Sequence, residues 1–246
     1  MNIAIFADVH SNLEALQAFI ETTAKQDVQK YIFLGDIIGY GPNPNECIEA
    51  VRKLPNVKMV LGNHDAAAIW KSSPYNMSGH AREALFWTMK KLLADNVQIL
   101  KSLRNKLVET DVCYCHTTPQ NPESWTYVNS QSQAFWVFRK TDYRVSFISH
   151  THRPRLLSQE KYWKIKEERI EEDASFRLHP DRRYIINCGS VGQPRDGNAN
   201  GSYCIYNERD QSVVFHRFDY DREKTIAKIN KAKLPDFLAR RLKKGM

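Results

Sequence analysis

Short apolar runs and helix-period segments alternate through the first sixty residues. NIAIFA (2–7) reads as a buried strand, and behind it Leu13, Leu16 and Ile20 recur at helical spacing. Ser11 and Glu14 stand in the S-x-x-E relation of a capping box at the start of that helix. YIFL (31–34) is a second strand. Asn43, Pro44 and Glu46 supply an N-cap, a first-turn proline and a box partner for the next helix, and KMVL (58–61) is a third strand. This βαβαβ opening predicts a parallel-type sheet covered by helices.

A further helix is expected over 78–93, where Ala81, Leu85, Thr88 and Leu92 share one face. The chain then turns to strands: VCYC (112–115), VSFIS (145–149), KYWKIK (161–166), YIIN (184–187), SYCIY (202–206) and VVFHRF (213–218). The densely charged segment 158–183 reads as a solvated hairpin, and a basic helix closes the sequence. No internal repeat or interdomain linker interrupts the pattern. A single α/β domain over 1–246 is expected, with a basic helical tail over about 221–246.

Composition narrows the class. With 42% hydrophobic residues and a mean hydropathy of -0.56, the chain has the make-up of an ordinary globular protein. No apolar run approaches the roughly 20 residues of a membrane helix, so no membrane partner is expected. MNIAIFADVH shows neither a charged n-region nor a cleavage site. The five cysteines, with no C-x-x-C pair, suit a reducing cytoplasm. The net charge of +8 is concentrated at the end: residues 221–246 hold nine Lys/Arg against three Asp/Glu, leaving +2 for the rest. The body has no basic stripe with interleaved aromatics, so nucleic acid is not the expected partner. The tail reads as a solvated helix face.

The chemistry gathers just past the strands. The first ends in Asp8-Val9-His10, the second in Gly35-Asp36, and the third in Gly62-Asn63-His64-Asp65. VCYC is followed by His116, and VSFIS by His150 and His152. Side chains two apart on an extended chain point to one side, and open α/β sheets place ligands at the carboxyl ends of their strands. Two carboxylates, one amide and four imidazoles, His64 apart, exceed what one ion needs, and a carboxylate can bridge two. Two-metal hydrolytic sites hold their ions about 3.5–4 Å apart. Mixed nitrogen and oxygen donors without thiolate suit Mn²⁺, Fe or Zn²⁺. Cys115, next to His116 in a strand, points the other way and belongs to the core.

In order and spacing these motifs resemble the calcineurin-like metallophosphoesterase superfamily. GYGPNPNECIEA and NCGSVGQPRDG look like its compact prokaryotic branch of small phosphodiesterases and diadenosine-polyphosphate hydrolases. The resemblance implies a four-layer α/β/β/α sandwich and two divalent ions, Mn²⁺ first, with Fe or Zn²⁺ as alternatives. Asp8, His10, Asp36 and His152 would hold one ion; Asp36 as bridge, Asn63, His116 and His150 would hold the other. His64 would be the catalytic residue that stabilises charge or protonates the leaving group, and a metal-bridging hydroxide would attack. The implied function is hydrolysis of phosphoester bonds in a small phosphodiester or a nucleotide of the dinucleoside polyphosphate type. The alternatives are a protein Ser/Thr phosphatase and a non-catalytic scaffold, against which the intact ligand set speaks.

Several positions depart from the family pattern. Ser149 and Thr117 replace glycines and are expected to narrow the pocket, and Cys188 replaces a proline. Where the protein phosphatases have G-D-x-x-D-R-G, this chain has Gly35-Asp36-Ile37-Ile38-Gly39-Tyr40-Gly41. Arg195, Tyr40 and Asn43 are the candidate substrate-binding residues. Trp125, Tyr127, Phe135 and Trp136 offer either a base-stacking wall or core packing. His80, His179 and His216 stand outside every motif, and the oligomeric state is open.

Overall fold

The alternation within the first strand decides the architecture. In β1 (Asn2–Phe6), Ile3 and Ile5 point to one side, Ala4 and Phe6 to the other, and all four are fully buried. A strand that buries both faces must lie between two layers. In the computed structural model, which describes residues 1–160 and 164–246, those layers are a row of helices and a second sheet.

The chain continues through α1 (Leu13–Thr23), β2 (Lys30–Phe33), α2 (Pro44–Arg52) and β3 (Val57–Met59). The strands β1, β2 and β3 run parallel, as the βαβαβ order predicts. Three helices follow, α3 (Asn63–Ala68), α4 (Gly79–Met89) and α5 (Ala94–Ser102). The chain then enters the second sheet through β4 (Lys106–Glu109), β5 (Val112–Cys115), α6 (Gln131–Lys140) and β6 (Val145–Ile148). Next come β7 (Arg155–Gln159), β8 (Ile165–Glu168), β9 (Ser175–Arg177) and β10 (Arg183–Asn187), then β11 (Gly201–Asn207) and β12 (Ser212–Phe218). Two helices end it, α7 (Arg222–Lys231) and α8 (Asp236–Lys244). The sheets are ordered β3-β2-β1-β11-β12-β9 and β4-β5-β6-β10-β7-β8.

Strand parity sorts the core into layers. Ile5, Ile32 and Leu34 meet Tyr114, Phe147 and Ile186 between the sheets. Ala4, Phe6 and Phe33 face Leu16 and Phe19 of α1 and Ile48 of α2. On the far side, Cys113, Cys115 and Ile148 pack under Ala134, Val137 and Phe138 of α6. The result is the four-layer α/β/β/α sandwich. Among the described residues no helix is long and apolar enough to cross a membrane.

The structure corrects several local expectations. Asn12, not Ser11, caps α1: its side-chain oxygen accepts from Ala15 N at 3.2 Å. Glu14 instead turns inward and pairs with Lys228 of α7 at 2.5 Å. Asn43 makes no capping bond; its amide donates to Glu46 Oε1 and its oxygen accepts from Lys228. The segment expected to be one solvated hairpin divides: β8 pairs β7 on one sheet and β9 pairs β12 on the other. The expected strand KYWKIK falls partly outside the described residues, and the described strand begins at Ile165. The basic tail is not a solvated face. Ile226, Ile229, Leu234, Leu238 and Leu242 pack with Ala81 and Ala84 of α4 and with Tyr40, and the lysines and arginines occupy the rest of the two helices.

Candidate active site

Parallel pairing brings like strand ends to one edge. β1, β2 and β3 finish side by side, as do β5 and β6 in the other sheet. The two edges are joined where His116 Nδ1 meets the Leu34 carbonyl at 2.8 Å, and where His150 N donates to Asp8 Oδ2 at 3.3 Å. Asp8, His10, Asp36, His150 and His152 all have φ between 50° and 68°. The side chains therefore converge through left-handed turns past the strand ends, not through the strand pleat that the sequence suggested. Each such turn at a non-glycine residue costs about 1–2 kcal/mol, and strain of this kind clusters at functional sites.

The seven candidate ligands come together in two adjacent groups, and a third cluster of His10, Asp36 and His64 links them. Asp8, His10 and His152 form one: His10 Nε2 lies 3.3 Å from His152 Nε2 and 3.8 Å from Asp8 Oδ1. Asp36, His116 and His150 form the other, with His116 Nε2 3.3 Å from Asp36 Oδ2 and 3.2 Å from His150 Nδ1. Asn63 Oδ1 joins it, 3.1 Å from His116 Nε2. Asp36 stands between the groups, its Oδ2 also 3.7 Å from His10 Nε2.

Whether a metal fits is decided by the nitrogens. His10 donates Nδ1–H to the Ile38 carbonyl at 3.0 Å, and His152 donates Nδ1–H to the Gln193 carbonyl at 2.7 Å. The His150 ring is reversed, with Nε2 against the Trp125 carbonyl at 3.1 Å. A carbonyl on the outer nitrogen fixes the tautomer and leaves a lone pair pointing inward. Burial lowers His10 and His152 well below the usual imidazole range and brings His150 to about 3, so these rings are neutral. Two lone pairs thus face each other across 3.3 Å beside Asp8 Oδ1, which is buried and has no hydrogen-bond donor. Burial drives Asp8 up to about 8, more than the charges of His116 and Arg195 offset. Such a set of donors needs an electron-pair acceptor at its centre, and a divalent cation fits. At the second group, burial opposes ionisation of both Asp36 and His116. Their mutual attraction outweighs it, holding Asp36 below the usual range and pushing His116 up to about 9. A proton there fills the place a cation would take.

Two close approaches hold this edge together. A Cβ on Gly62 would stand 2.1 Å from Asp36 Oδ1, and one on Gly39 would stand 2.4 Å from His64 Nδ1. Ser149 does not narrow the pocket: its hydroxyl sits 3.0 Å from His116 Nδ1, the ring nitrogen facing away from the ligand group. Thr117 turns away to donate to the Pro122 carbonyl at 2.9 Å. Cys188 and Cys115 are buried, and burial raises both thiols well above their usual range.

Asp65 is the functional residue the motif reading left without a role. Its carboxylate accepts four backbone N–H groups, from Asp36 (2.8 Å), Ile37 (3.0 Å), Ile38 (3.2 Å) and Gly62 (3.1 Å). It thereby fixes the turn that aims Asp36. Asp65→Ala strands these buried donors and is expected to lower stability by about 3 kcal/mol or more, with loss of bound metal as Asp36 drifts. Chemical denaturation followed by circular dichroism measures the first effect. A native-like midpoint would mean that the four donors find other partners.

Asn63 and His150 of the second group border a cavity of about 710 Å³ whose wall also includes His64, Tyr40, Arg195 and Arg241. Trp125 and Tyr127 line it too, and Tyr127 stacks on His150 with ring centroids 4.1 Å apart. Phe135 and Trp136 do not; they lie on α6, where Trp136 is 59% exposed. Asn43 is also absent from the wall, held instead at the start of α2 by Glu46 and Lys228. Tyr40 is on the wall but only 9% exposed, with its ring packed against His10 and His64 at 4.6 and 4.5 Å. It has no free face for a base. His80, which belonged to no motif, borders the cavity and stacks on Phe237 of α8.

Known proteins agree with this architecture. Residues 1–211 match the model of the calcineurin-like phosphoesterase superfamily domain. The uncharacterized protein MJ0912 of Methanocaldococcus jannaschii is 38% identical over 244 residues, covering 98% of this chain and 96% of that one. The crystal structure of a metallophosphoesterase from Sphaerobacter thermophilus superposes with a TM-score of 0.90 at 37% identity, covering both chains entirely. A shorter match of 67 residues, 36% identical, covers 26% of this chain and 24% of the symmetrical bis(5'-nucleosyl)-tetraphosphatase of Serratia proteamaculans. By sequence and by fold alike, the chain belongs to the calcineurin-like phosphoesterase superfamily.

Proposed function

We propose that the protein is a metal-dependent hydrolase of phosphodiester or phosphoanhydride bonds in nucleotide-type substrates, with two divalent ions held by Asp8, His10, Asp36, Asn63, His116, His150 and His152. The observation that carries this reading is the pair of inward lone pairs on His10 and His152, 3.3 Å apart beside the unpartnered Asp8 oxygen. The ions, when bound, supply water activation at neutral pH and neutralisation of charge on the phosphoryl oxygens. Mn²⁺ is the first candidate, with Fe and Zn²⁺ compatible with the same donors. Asp36 lies between the ligand groups and is suited to serve both. His64, on the cavity wall with its main-chain N–H bonded to Asp36 Oδ1 at 2.8 Å, is suited to meet the phosphoryl oxygen or the leaving group. The core shared by the two sheets supports one domain spanning 1–246. Five free, buried cysteines fit a cytoplasmic location.

The substrate preference follows from Gly39 and Tyr40. With φ at +90° and His64 where a Cβ would stand, position 39 has no room for a carboxylate to orient that ring; Tyr40 supports it by packing. Tyr40 also replaces the arginine that the protein phosphatases carry at this point of the motif, so the guanidinium groups near it come from Arg195 and Arg241 and sit over its ring. The similarity to a bis(5'-nucleosyl)-tetraphosphatase, though short, points the same way. The purified protein with Mn²⁺ is expected to show higher kcat/KM for phosphodiesters or dinucleoside polyphosphates than for phosphoserine peptides. Peptide dephosphorylation that outruns every diester and dinucleotide would instead establish a protein phosphatase.

A further inference from the structure

The C-terminal helix α8 reaches the cavity. Its apolar face packs on α4 and on Tyr40, which places Arg241 on the cavity wall beside Arg195. Both guanidinium groups sit over the same tyrosine ring, 5.7 Å from its centroid for Arg195 and 5.9 Å for Arg241. Arg195 also donates to Tyr40 Oη at 3.4 Å and to Gln193 Oε1 at 2.9 Å, and its Nε is buried without a partner. Arg241 is braced by Phe237, 5.3 Å from that ring, and by the Met246 carbonyl, which accepts from its Nε.

Neither arginine is paired with an aspartate or glutamate among the described residues. That separates them from Arg144, Arg155, Arg217 and Arg222, each paired with an aspartate or glutamate. Two like charges held together in a partly buried wall repel each other. Burial, and next the charge of Arg195, lower the Arg241 guanidinium below its usual range. An arrangement of this kind is relieved by an anion, and the planar forks of two arginines suit phosphate oxygens. A phosphate held beside Asn63 and His150 would leave the rest of a phosphate chain in the same cavity, whose wall carries Arg195 and Arg241.

We propose that Arg241, with Arg195, is a specificity-determining residue that binds a substrate phosphate other than the one being hydrolysed, so that the natural substrate carries a chain of phosphates. This rests on the hydrolase reading above. It gives the basic tail a role in recognising a small polyanion.

The test pairs binding with turnover. Protein stripped of metal on a chelating resin is titrated calorimetrically with inorganic tripolyphosphate, comparing the native chain with Arg241→Ala and Arg241→Lys. The expected loss of affinity is about tenfold for the alanine variant, with part of it recovered by lysine, which keeps the charge but not the fork. Arg241→Lys also keeps the aliphatic stem over Tyr40, so a result remains if the alanine variant fails to fold. In the Mn²⁺-loaded protein, the rise in KM for diadenosine tetraphosphate should exceed that for bis(para-nitrophenyl) phosphate by about tenfold, with kcat for the tetraphosphate largely retained. Unchanged tripolyphosphate affinity in both variants, or equal losses on the two substrates, would overturn the proposal. If the native protein hydrolyses neither substrate, the hydrolase reading fails, and the tripolyphosphate titration still decides whether Arg241 binds a phosphate chain.

Discussion

Asp36→Asn is expected to abolish both metal retention and turnover. The Asp36 carboxylate has two fixed obligations. Its Oδ1 accepts the main-chain N–H of His64 at 2.8 Å, and its Oδ2 faces His116 Nε2 at 3.3 Å and His10 Nε2 at 3.7 Å. An amide cannot meet both. With its oxygen toward His64, it turns an NH₂ group toward the place where the cations would share an oxygen. Flipped, it sets two N–H donors against each other across 2.8 Å. Either way the site loses a negative charge that would help to balance the two proposed dications. The variant is expected to hold well under two ions per chain by elemental analysis, and kcat/KM should fall by more than about 10³-fold, the equivalent of roughly 4 kcal/mol. An Asp36→Asn protein that keeps two ions and turns over normally would refute the shared-carboxylate site.

The parts of the molecule legible in the sequence are those where periodicity and chemistry coincide. β1 and β2 were readable because strands buried on both faces are largely apolar and the helices after them show an apolar stripe, whereas β3, read over 58–61, is Val57–Met59 with Lys58 exposed. Helix α6 was not. Its buried face is Ala134, Val137 and Phe138, and the adjacent Phe135 and Trp136 blur the helical period. In α7 and α8 the same pattern is present in Ile226, Ile229, Leu238 and Leu242, but it lies among eight basic residues whose charge dominates a composition-based reading. Counting charge hid a docking face.

At the site, the donor types and their positions past strand ends were legible, and the conformations that make them converge were not. Asp, Asn and His tolerate left-handed φ better than β-branched residues do, but nothing in Asp8-Val9-His10 announces two such turns. Asp65 was overlooked because its work is on backbone N–H groups that no motif records. Arg241 lies about two hundred residues from Tyr40 in sequence, and only the fold of the tail brings the two together.

His64→Ala separates holding the ions from using them. His64 lies beside the ligand groups, its ring centroid 4.8 Å from that of His10, and the ions proposed here do not need it as a ligand. Metal content is therefore expected to stay native, while kcat falls by about 10²–10⁴-fold, the range for a lost general acid or charge-stabilising donor. The two roles are distinguishable. Burial brings His64 down to about 4, so in the free protein the ring is neutral and acts as an N–H donor; full transfer of its proton requires a leaving oxygen basic enough to take it. If His64 donates a proton, the loss in His64→Ala should shrink for nitrophenolate, which leaves without help, and grow for alkoxide leaving groups. If it only stabilises charge on the phosphoryl oxygens, the loss should be the same across the series. The environment favours the second outcome in one respect: Gly39 leaves His64 Nδ1 buried without a hydrogen-bonded carboxylate, and burial lowers the basicity of the ring more than the charge of Asp36 raises it. A kcat within about threefold of native on every leaving group, far below the range for either role, would remove His64 from the reaction altogether.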